Sequence, residues 1–136
     1  MNHLRELLDT EIRKNHQFIV RWLLFVAPGL LLCANARGYY PIHTAARVGS
    51  VTMMKLLQKC GADLQACDDN HWTPLHHAAE CGRTRVTQLL LDQSALTAAV
   101  SHKSVATPLE VAQTNGFVQI AKMLQDAEEY RQHQQD

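Results

Sequence analysis

The sequence has no excess of charge of either sign, few aromatic residues and no closely spaced cysteine pair. Its 136 residues include 13 Lys and Arg against 13 Asp and Glu, and aromatic residues make up 6%. A protein that binds nucleic acid needs a basic excess to neutralise phosphates, so this function is disfavoured. The same balance gives the chain as a whole no attraction to anionic membranes. A chain of this length can form one domain with a sizeable core.

The four cysteines lack the spacing of a metal or redox motif. Cys33, Cys60, Cys67 and Cys81 form no CxxC pair, and no HExxH motif occurs. A chain of this size does not need disulfides to replace a core, so we expect four reduced thiols. A phosphate-binding glycine loop and a nucleophile elbow are also missing, so the sequence predicts neither an enzyme nor a bound cofactor.

What the sequence does contain is an internal repeat. YPIHTAA begins at Tyr40, TPLHHAA begins 33 residues later at Thr73, and TPLEVAQ begins 34 residues after that at Thr107. A glycine follows each segment at the same offset, and an apolar segment lies behind each glycine. Because several motif elements recur together at one period, the pattern indicates a stacked repeat architecture.

This period and this motif resemble the ankyrin repeat, whose pattern is a TPLHxAA helix, a glycine turn, a second apolar helix, a GAD element and a β-hairpin loop. CGADL, beginning at Cys60, supplies the GAD element. NHQFIVRWLL, beginning at Asn15, is similar to the second helix, with Asn15 in the glycine position. The resemblance covers about residues 15–127. It implies an all-α solenoid of stacked helix-turn-helix units with short β-hairpin loops.

The resemblance divides the chain into four units and a tail. The expected units are a degenerate N-terminal capping repeat at 1–34, full repeats at 35–67 and 68–101, and a C-terminal capping repeat at 102–127. Residues 128–136 are a polar tail that can extend the last helix by a turn or two and then fray. An irregular loop is expected from Ala98 to Val105, because β-branched Val105 replaces the turn glycine.

The motif residues have structural explanations. Thr-Pro starts a helix, since a threonine hydroxyl caps free amides and proline fits the first turn. Gly49, Gly82 and Gly116 permit the left-handed turn that ends the first helix. The resemblance implies that His43 and His76 hydrogen-bond near the hairpin and hold adjacent repeats together.

Ankyrin proteins usually bind partner proteins through hairpin tips and the concave face of the first helices. The resemblance therefore implies a protein–protein interaction module that acts as an adaptor, scaffold or inhibitor, is monomeric when free and is cytoplasmic. Tyr39 and Trp72 are the favoured contacts, since aromatic residues beside polar ones are typical hot spots. The alternative for Trp72 is packing on its own hairpin and on His71. The expected partner-binding residues are Arg37, Tyr39, Arg47, Val48, Asp69, Asn70, Trp72, Glu80, Cys81, Lys103 and Thr114.

Two other interpretations stay open. The apolar run from Trp22 to Cys33, followed by Ala34-Asn35-Ala36, has the form of a secretion signal, so cleavage after Ala36 would give a secreted or periplasmic protein. Pro28-Gly29 interrupts this run, which disfavours a membrane-spanning helix. Eight histidines and four cysteines also suggest zinc, with His77 and Cys81 one helical turn apart. Two ligands do not complete a tetrahedral site, so we expect no metal.

Overall fold

The computed structural model describes residues 2–93 and 106–135, which form four consecutive helix pairs. The pairs are α1 (Asn2–Arg13) with α2 (Gln17–Val26), α3 (Pro41–Val48) with α4 (Val51–Lys59), α5 (Pro74–Cys81) with α6 (Thr84–Asp92), and α7 (Pro108–Thr114) with α8 (Val118–Gln135). A 3₁₀ helix, Pro28–Leu32, follows α2. The predicted all-α solenoid is confirmed, and no strand occurs within these described ranges.

Helices α3, α5 and α7 begin where the sequence predicted. A proline, Pro41, Pro74 or Pro108, occupies the first turn of each helix. The hydroxyl of Thr107 accepts a hydrogen bond from the Glu110 amide at 3.1 Å, and that of Thr73 accepts from the His76 amide at 3.4 Å. Loss of such a cap typically costs about 1 kcal/mol.

The turns inside the helix pairs use the left-handed backbone conformation. Gly49 has φ 87°, Gly82 has φ 71° and Gly116 has φ 76°. Asn15 has φ 60° at the equivalent position before α2, as predicted from the tolerance of asparagine for this conformation. Each pair therefore reverses direction over a few residues.

The pairs stack in chain order because each leaves apolar surface that only a neighbour can cover. The first helices contact one another in the order α1, α3, α5 and α7, and the second helices in the order α2, α4, α6 and α8. Ala45, Ala46, Ala78 and Ala79 are fully buried between the first helices. Their small side chains allow close helix approach, while larger residues such as Leu57 and Leu90 fill the core beside the second helices.

Two tight loops, at 35–39 and 68–72, precede α3 and α5 and lie against each other. The Asn35 amide bonds to the Tyr39 carbonyl at 2.8 Å, and the Asp68 amide bonds to the Trp72 carbonyl at 2.9 Å. The Asp69 amide reaches the Gly38 carbonyl of the preceding loop at 3.3 Å. His71, which replaces the turn glycine, has φ 65° and so adopts the conformation that the turn requires.

The two repeat histidines hold adjacent units together, as the resemblance implied. Nε2 of His43 lies 2.7 Å from the Ala66 carbonyl, and Nε2 of His76 lies 2.7 Å from the Ala106 carbonyl. The Nδ1 atom of each ring accepts a hydrogen bond from the backbone amide three residues earlier, at Tyr40 or Thr73. The His43 imidazole thus connects the start of α3 to the segment before the next hairpin, and the His76 imidazole connects the start of α5 to the residue before the N-cap of α7.

The two ends of the array have features of their own. Helix α8 continues to Gln135, so residues 128–135 extend the last helix by about two turns. The apolar run after Trp22 divides, because α2 ends at Val26 and Pro28 starts the 3₁₀ helix. Among the described helices none is both long and apolar enough to cross a bilayer. The expected irregular loop, Ala98 to Val105, lies outside the described residues.

Candidate protein-binding surface

A buried imidazole lies at the centre of the expected binding surface. His77, on α5, is 1% exposed. Its Nε2 atom lies 2.7 Å from Oδ2 of Asp68, and its Nδ1 atom lies 2.9 Å from a guanidinium nitrogen of Arg47. An arginine nitrogen can only donate, so Nδ1 accepts and the ring proton resides on Nε2, which donates to Asp68. His77 therefore links the helix of one repeat to its own hairpin and to α3 of the preceding repeat.

Asp68 has a second role, which is to close the hairpin loop. Its Oδ1 atom accepts hydrogen bonds from the backbone amides of Asn70, at 2.8 Å, and Trp72, at 2.9 Å. Asn35 does the same in the preceding loop, where Oδ1 accepts from the amides of Arg37 and Tyr39. Asp and Asn favour such turns because their short side chains reach the backbone two residues ahead.

Burial controls the charges in this network. Burial lowers the pKa of His77 to about 4, and the effect outweighs the attraction of Asp68, so the imidazole is neutral at pH 7. Burial alone would raise the pKa of Asp68, but hydrogen bonds from Trp72, His77 and Asn70 together lower it below its ordinary value. The resulting state is a carboxylate that receives three hydrogen bonds and a neutral histidine fixed in one tautomer.

Aromatic and charged side chains surround His77. The ring of Tyr39 meets the imidazole edge-on with centroids 4.7 Å apart, and Trp72 approaches from another side at 5.3 Å. Arg47 lies 5.4 Å above the Tyr39 ring and donates to a Glu80 carboxylate oxygen at 2.8 Å. Together they form an open depression of about 280 Å³, lined by Tyr39, Asp68, Asn70, Trp72, His77 and Glu80. We call this region, with the adjoining loop tip residue Arg37, the hairpin surface.

The structure thus brings together five of the expected contact residues: Tyr39, Arg47, Asn70, Trp72 and Glu80. Asn70 and two others, Arg37 and Asp69, lie exposed at the loop tips. Val48 and Cys81 are half-buried at the ends of α3 and α5, and Thr114 is exposed at the end of α7. Lys103 lies outside the described residues. Whether these residues contact a partner stays a prediction.

Trp72 combines packing with partial exposure. Its indole stacks on the His76 ring with centroids 5.4 Å apart and also packs against the hydrophobic core. The remaining surface contributes to the depression beside Asn70. A rigid, half-buried ring of this kind is the usual form of an interface anchor, since little side-chain freedom is lost when a partner covers it.

The sequence patterns did not reveal the structural roles of His77 and Asp68. His77 was considered only as one half of a zinc site with Cys81, whereas both of its ring nitrogens have protein partners. The described ranges contain no group of three or more potential metal ligands. A usable signal existed for Asp68, because it lies 33 residues after Asn35 and both residue types favour the same loop closure.

The first helix pair fastens its hairpin with different residues. Arg5 donates to the carbonyls of Cys33, at 2.7 Å, and Tyr39, at 2.8 Å, and pairs with Asp9 at 2.6 Å. Asp9 in turn accepts from the side-chain amide of Asn35 at 2.9 Å. An arginine–aspartate pair therefore replaces the histidine of the later repeats, and this places the Tyr39 backbone beside α1.

Comparison with known proteins agrees with this architecture. A family model of ankyrin repeats in three copies matches residues 11–103 and 43–136. The chain belongs to the ankyrin-repeat family. Ankyrin repeats generally mediate protein–protein interaction and are typically non-catalytic, which agrees with the hydrogen-bonded, structural use of the histidines described above.

Its relatives are larger proteins. A glycerophosphocholine phosphodiesterase of Candida albicans is 38% identical over 80 residues, which is 59% of this chain and 7% of the relative. The mouse RelA-associated inhibitor is 29% identical over 97 residues, 70% of this chain and 12% of the relative. A target of rapamycin complex 2 subunit, AVO2, of Saccharomyces cerevisiae is 32% identical over 105 residues, 76% of this chain and 25% of the relative. The chain therefore spans a quarter or less of the length of these relatives.

Proposed function

We propose that this ankyrin array is a non-catalytic adaptor, scaffold or inhibitor that binds one protein partner through the hairpin surface. The observation that supports it is the grouping of Tyr39, Arg47, Trp72 and Glu80 around the buried His77. Aromatic and arginine side chains held by neighbours lose little entropy on binding. The loop tips beside them offer polar contacts at Arg37 and Asn70.

The names of the relatives are compatible with this role. One relative is named an inhibitor and another a complex subunit, so arrays similar to this one occur in proteins that act on or with other proteins. The phosphodiesterase shares only a short segment with this chain. We infer that the present chain contributes recognition, and we propose no catalytic role for His77 because its two nitrogens are engaged in structural hydrogen bonds.

We also propose that the N-terminal segment stays attached. Leu8, Ile12 and Leu23 are almost completely buried in the common core. Cleavage after Ala36 would remove these side chains and uncover the face of α3 that contacts α1. Such a loss of apolar burial would destabilise the remaining array. Mass spectrometry of the native protein tests this, since a product beginning at residue 37 would contradict it.

The proposed binding surface can be tested with substitutions that leave the buried network intact. Arg37→Glu, Asn70→Arg and Thr114→Arg alter three exposed side chains on the loops and on α7. The matched control, Arg85→Glu with Gln119→Arg and Gln125→Arg, makes the same types of charge change at exposed side chains on the second helices α6 and α8. Both variants should keep the wild-type circular dichroism spectrum and melting temperature.

The measurement is affinity capture from native extract, with bound proteins identified by mass spectrometry. We expect a partner that the wild type and the control variant retain and the hairpin-surface variant loses. Reversed or added charges at a protein interface commonly weaken binding by about tenfold or more. Equal capture by all three proteins would show that the hairpin surface is not the binding site.

A further inference from the structure

Helix α2 is apolar on two opposite faces. Val20, Leu23 and Leu24 are buried in the core. Phe18, Trp22 and Phe25, spaced at helical positions on the outer side, are 85%, 61% and 85% exposed. A surface helix normally has polar side chains on its outer face, whereas a helix that is apolar all round is normally covered.

The equivalent positions in the later repeats show that the fold does not require these aromatic residues. Phe18 corresponds to Thr52, Arg85 and Gln119 in α4, α6 and α8, which are all exposed and polar. Phe25 corresponds in the same way to the charged and exposed Lys59, Asp92 and Asp126. Stacking therefore proceeds with polar residues at both positions, and the phenylalanines of α2 need another explanation.

The exposed aromatic area is large enough to be a contact site. With aromatic side chains of 150–250 Å² each, the three rings expose on the order of 400 Å². Contiguous apolar patches of a few hundred Å² typically mark binding surfaces. Val26 and Leu32, which follow Phe25 in the sequence, are also exposed, at 57% and 79%.

Basic residues adjoin the aromatic rings on the side of α4. One surface cavity of about 450 Å³ is lined by Arg21, Trp22, Leu24, Phe25 and Cys60. A second, of about 530 Å³, shares Arg21 and Cys60 with the first and extends along α4 past Lys55 and Lys59. The two cavities therefore form one groove between α2 and α4, with an apolar end and a basic end.

The charges are unevenly distributed along the chain, although the net charge is zero. No acidic residue occurs between Glu11 and Asp63, while the same stretch contains seven arginines and lysines. Three of the seven, Arg21, Lys55 and Lys59, line the groove. A ligand for this groove must therefore combine bulky apolar side chains with negative charge, because acidic side chains of this part of the chain cannot neutralise the three cations.

We propose that the α2 surface, defined by Phe18, Arg21, Trp22, Phe25, Lys55 and Lys59, docks an acidic amphipathic segment of a second partner protein. Its apolar side chains cover Trp22 and Phe25, and its carboxylates pair with Arg21, Lys55 and Lys59. The α2 surface lies on the second helices, away from the hairpin surface. The array can then hold two proteins at once, which goes beyond recognition of one partner by the loops.

Trp22 provides a direct signal for the test. In a Trp72→Phe variant, Trp22 is the remaining tryptophan, and a ligand that covers it should shift its emission to shorter wavelength. The probe is a synthetic helical peptide with leucines on one face and glutamates on both flanks. The control peptide has lysine in place of every glutamate. We expect the glutamate peptide to produce a saturable shift with a Kd of about 100 µM or tighter, weakened by added salt.

Alkylation supplies a second measurement. Cys60 lines both halves of the groove, while Cys67 lies in the following loop, and both thiols are exposed. The glutamate peptide should slow the reaction of Cys60 with iodoacetamide and leave that of Cys67 unchanged. Equal protection of both cysteines would indicate nonspecific coating of the protein and would contradict docking in the groove.

Charge reversals decide whether the basic residues matter. Arg21→Glu, Lys55→Glu and Lys59→Glu together should weaken peptide binding by about tenfold or more. The matched control reverses Arg85, Lys122 and Arg131, which are exposed on α6 and α8. It changes the net charge equally and should bind the peptide like the wild type. The Arg37→Glu, Asn70→Arg, Thr114→Arg variant should also bind normally, so failure at one surface is distinguishable from failure at the other.

Four outcomes of the fluorescence test would overturn the proposal. They are the absence of any shift with the glutamate peptide, an equal shift with the lysine peptide, a shift that depends on protein concentration without peptide, and a shift with phosphatidylserine vesicles but not with peptide. The third would mean that a second copy of the chain covers α2, and the fourth would assign the surface to an anionic membrane.

Discussion

Asp68 illustrates how one side chain fixes both a loop and the tautomer of a buried histidine. One carboxylate oxygen closes the hairpin through two backbone amides, and the other receives the Nε2 proton of His77. Asn35 performs only the first task with its own Oδ1 atom. A comparison of Asp68 with Asn35 therefore separates the contribution of loop closure from that of the hydrogen bond between His77 and the carboxylate.

This separation leads to a comparison of two substitutions. Asp68→Asn keeps an acceptor for the loop amides but presents an NH₂ group to the Nε2 proton of His77, whereas Asp68→Ala removes every acceptor. We expect Asp68→Ala to lower the free energy of unfolding by about 3 kcal/mol, and Asp68→Asn by about 1–2 kcal/mol. Urea denaturation monitored by circular dichroism measures both. Equal losses would show that loop closure contributes nothing beyond the His77 contact.

The histidines make stability depend on pH. The pKa of His77 is about 4 in the folded protein and 6.5 as the ordinary value. The unfolded chain therefore takes up a proton first as the pH falls, so the stability contributed by the neutral ring is complete above pH 6.5 and is lost towards pH 4. Burial also lowers the pKa values of His43 and His76, which act in the same direction.

We expect the free energy of unfolding to fall between pH 6.5 and pH 4, with His77 contributing up to about 1.4 kcal/mol per pH unit. Asp68 does not account for a change in this pH range. The pKa of Asp68 in the folded protein lies below its ordinary value of 3.8, so the stability that its carboxylate contributes is lost only at lower pH. Urea midpoints across the window measure the slope. His77→Gln should reduce it, and an unchanged slope in that variant would exclude His77 as a source.

At the scale of the helix pair, the turn glycines do more than allow a left-handed backbone. A Cβ atom at Gly82 would lie 2.7 Å from the Phe117 ring of the next repeat, while one at Gly116 would meet nothing within 4 Å. Both glycines have similar positive φ angles, 71° and 76°. The first position therefore combines backbone strain with a close contact between repeats, and the second has the strain alone.

Alanine substitutions can divide these two contributions. Gly116→Ala should cost about 1–2 kcal/mol from the left-handed conformation. Gly82→Ala should cost about 1 kcal/mol more, because the Phe117 ring must move. Thermal or urea unfolding of both variants measures the difference. If the two variants were equally stable, the close approach of Phe117 to the turn would have no energetic effect.

The elements differed in how well the sequence predicted them. Helix starts at Pro41, Pro74 and Pro108 and the turn at Asn15 followed from local chemistry, namely a fixed proline φ and the tolerance of asparagine for positive φ. The 3₁₀ helix at Pro28–Leu32 did not. It depends on a balance between weak local preferences and packing against a neighbour, for which a single sequence gives little signal.

At the scale of the whole molecule, each described pair packs chiefly on the pairs before and after it. Such an array is stabilised by contacts between nearest neighbours, so a substitution that disrupts a central interface should destabilise the helix pairs on both sides of it. Ala79 is fully buried on α5, which contacts both α3 and α7. It is therefore a suitable position at which to disturb the whole array.

We expect Ala79→Leu to destabilise the protein by about 3 kcal/mol through overpacking, whereas Ala36→Leu at an exposed loop position should have little effect. Trp22 and Trp72 report on different pairs, so unfolding can be followed in Trp72→Phe and Trp22→Phe backgrounds. Coincident shifts of both transitions would indicate one cooperative unit. A shift confined to Trp72 would show that the first pair unfolds independently.

The sequence by itself determined the period, the helix starts, the turns and hence the family, because these depend on interactions within a few residues that recur in each repeat. The candidate surfaces depended on the tertiary structure. His77, Asp68 and Arg47 come from two repeats and meet only when α3 and α5 stack. The sequence could not predict that Phe18 and Phe25 are exposed. Helix α2 is apolar on two opposite faces, and either face could pack against the core. Only stacking decides which face of α2 the core covers.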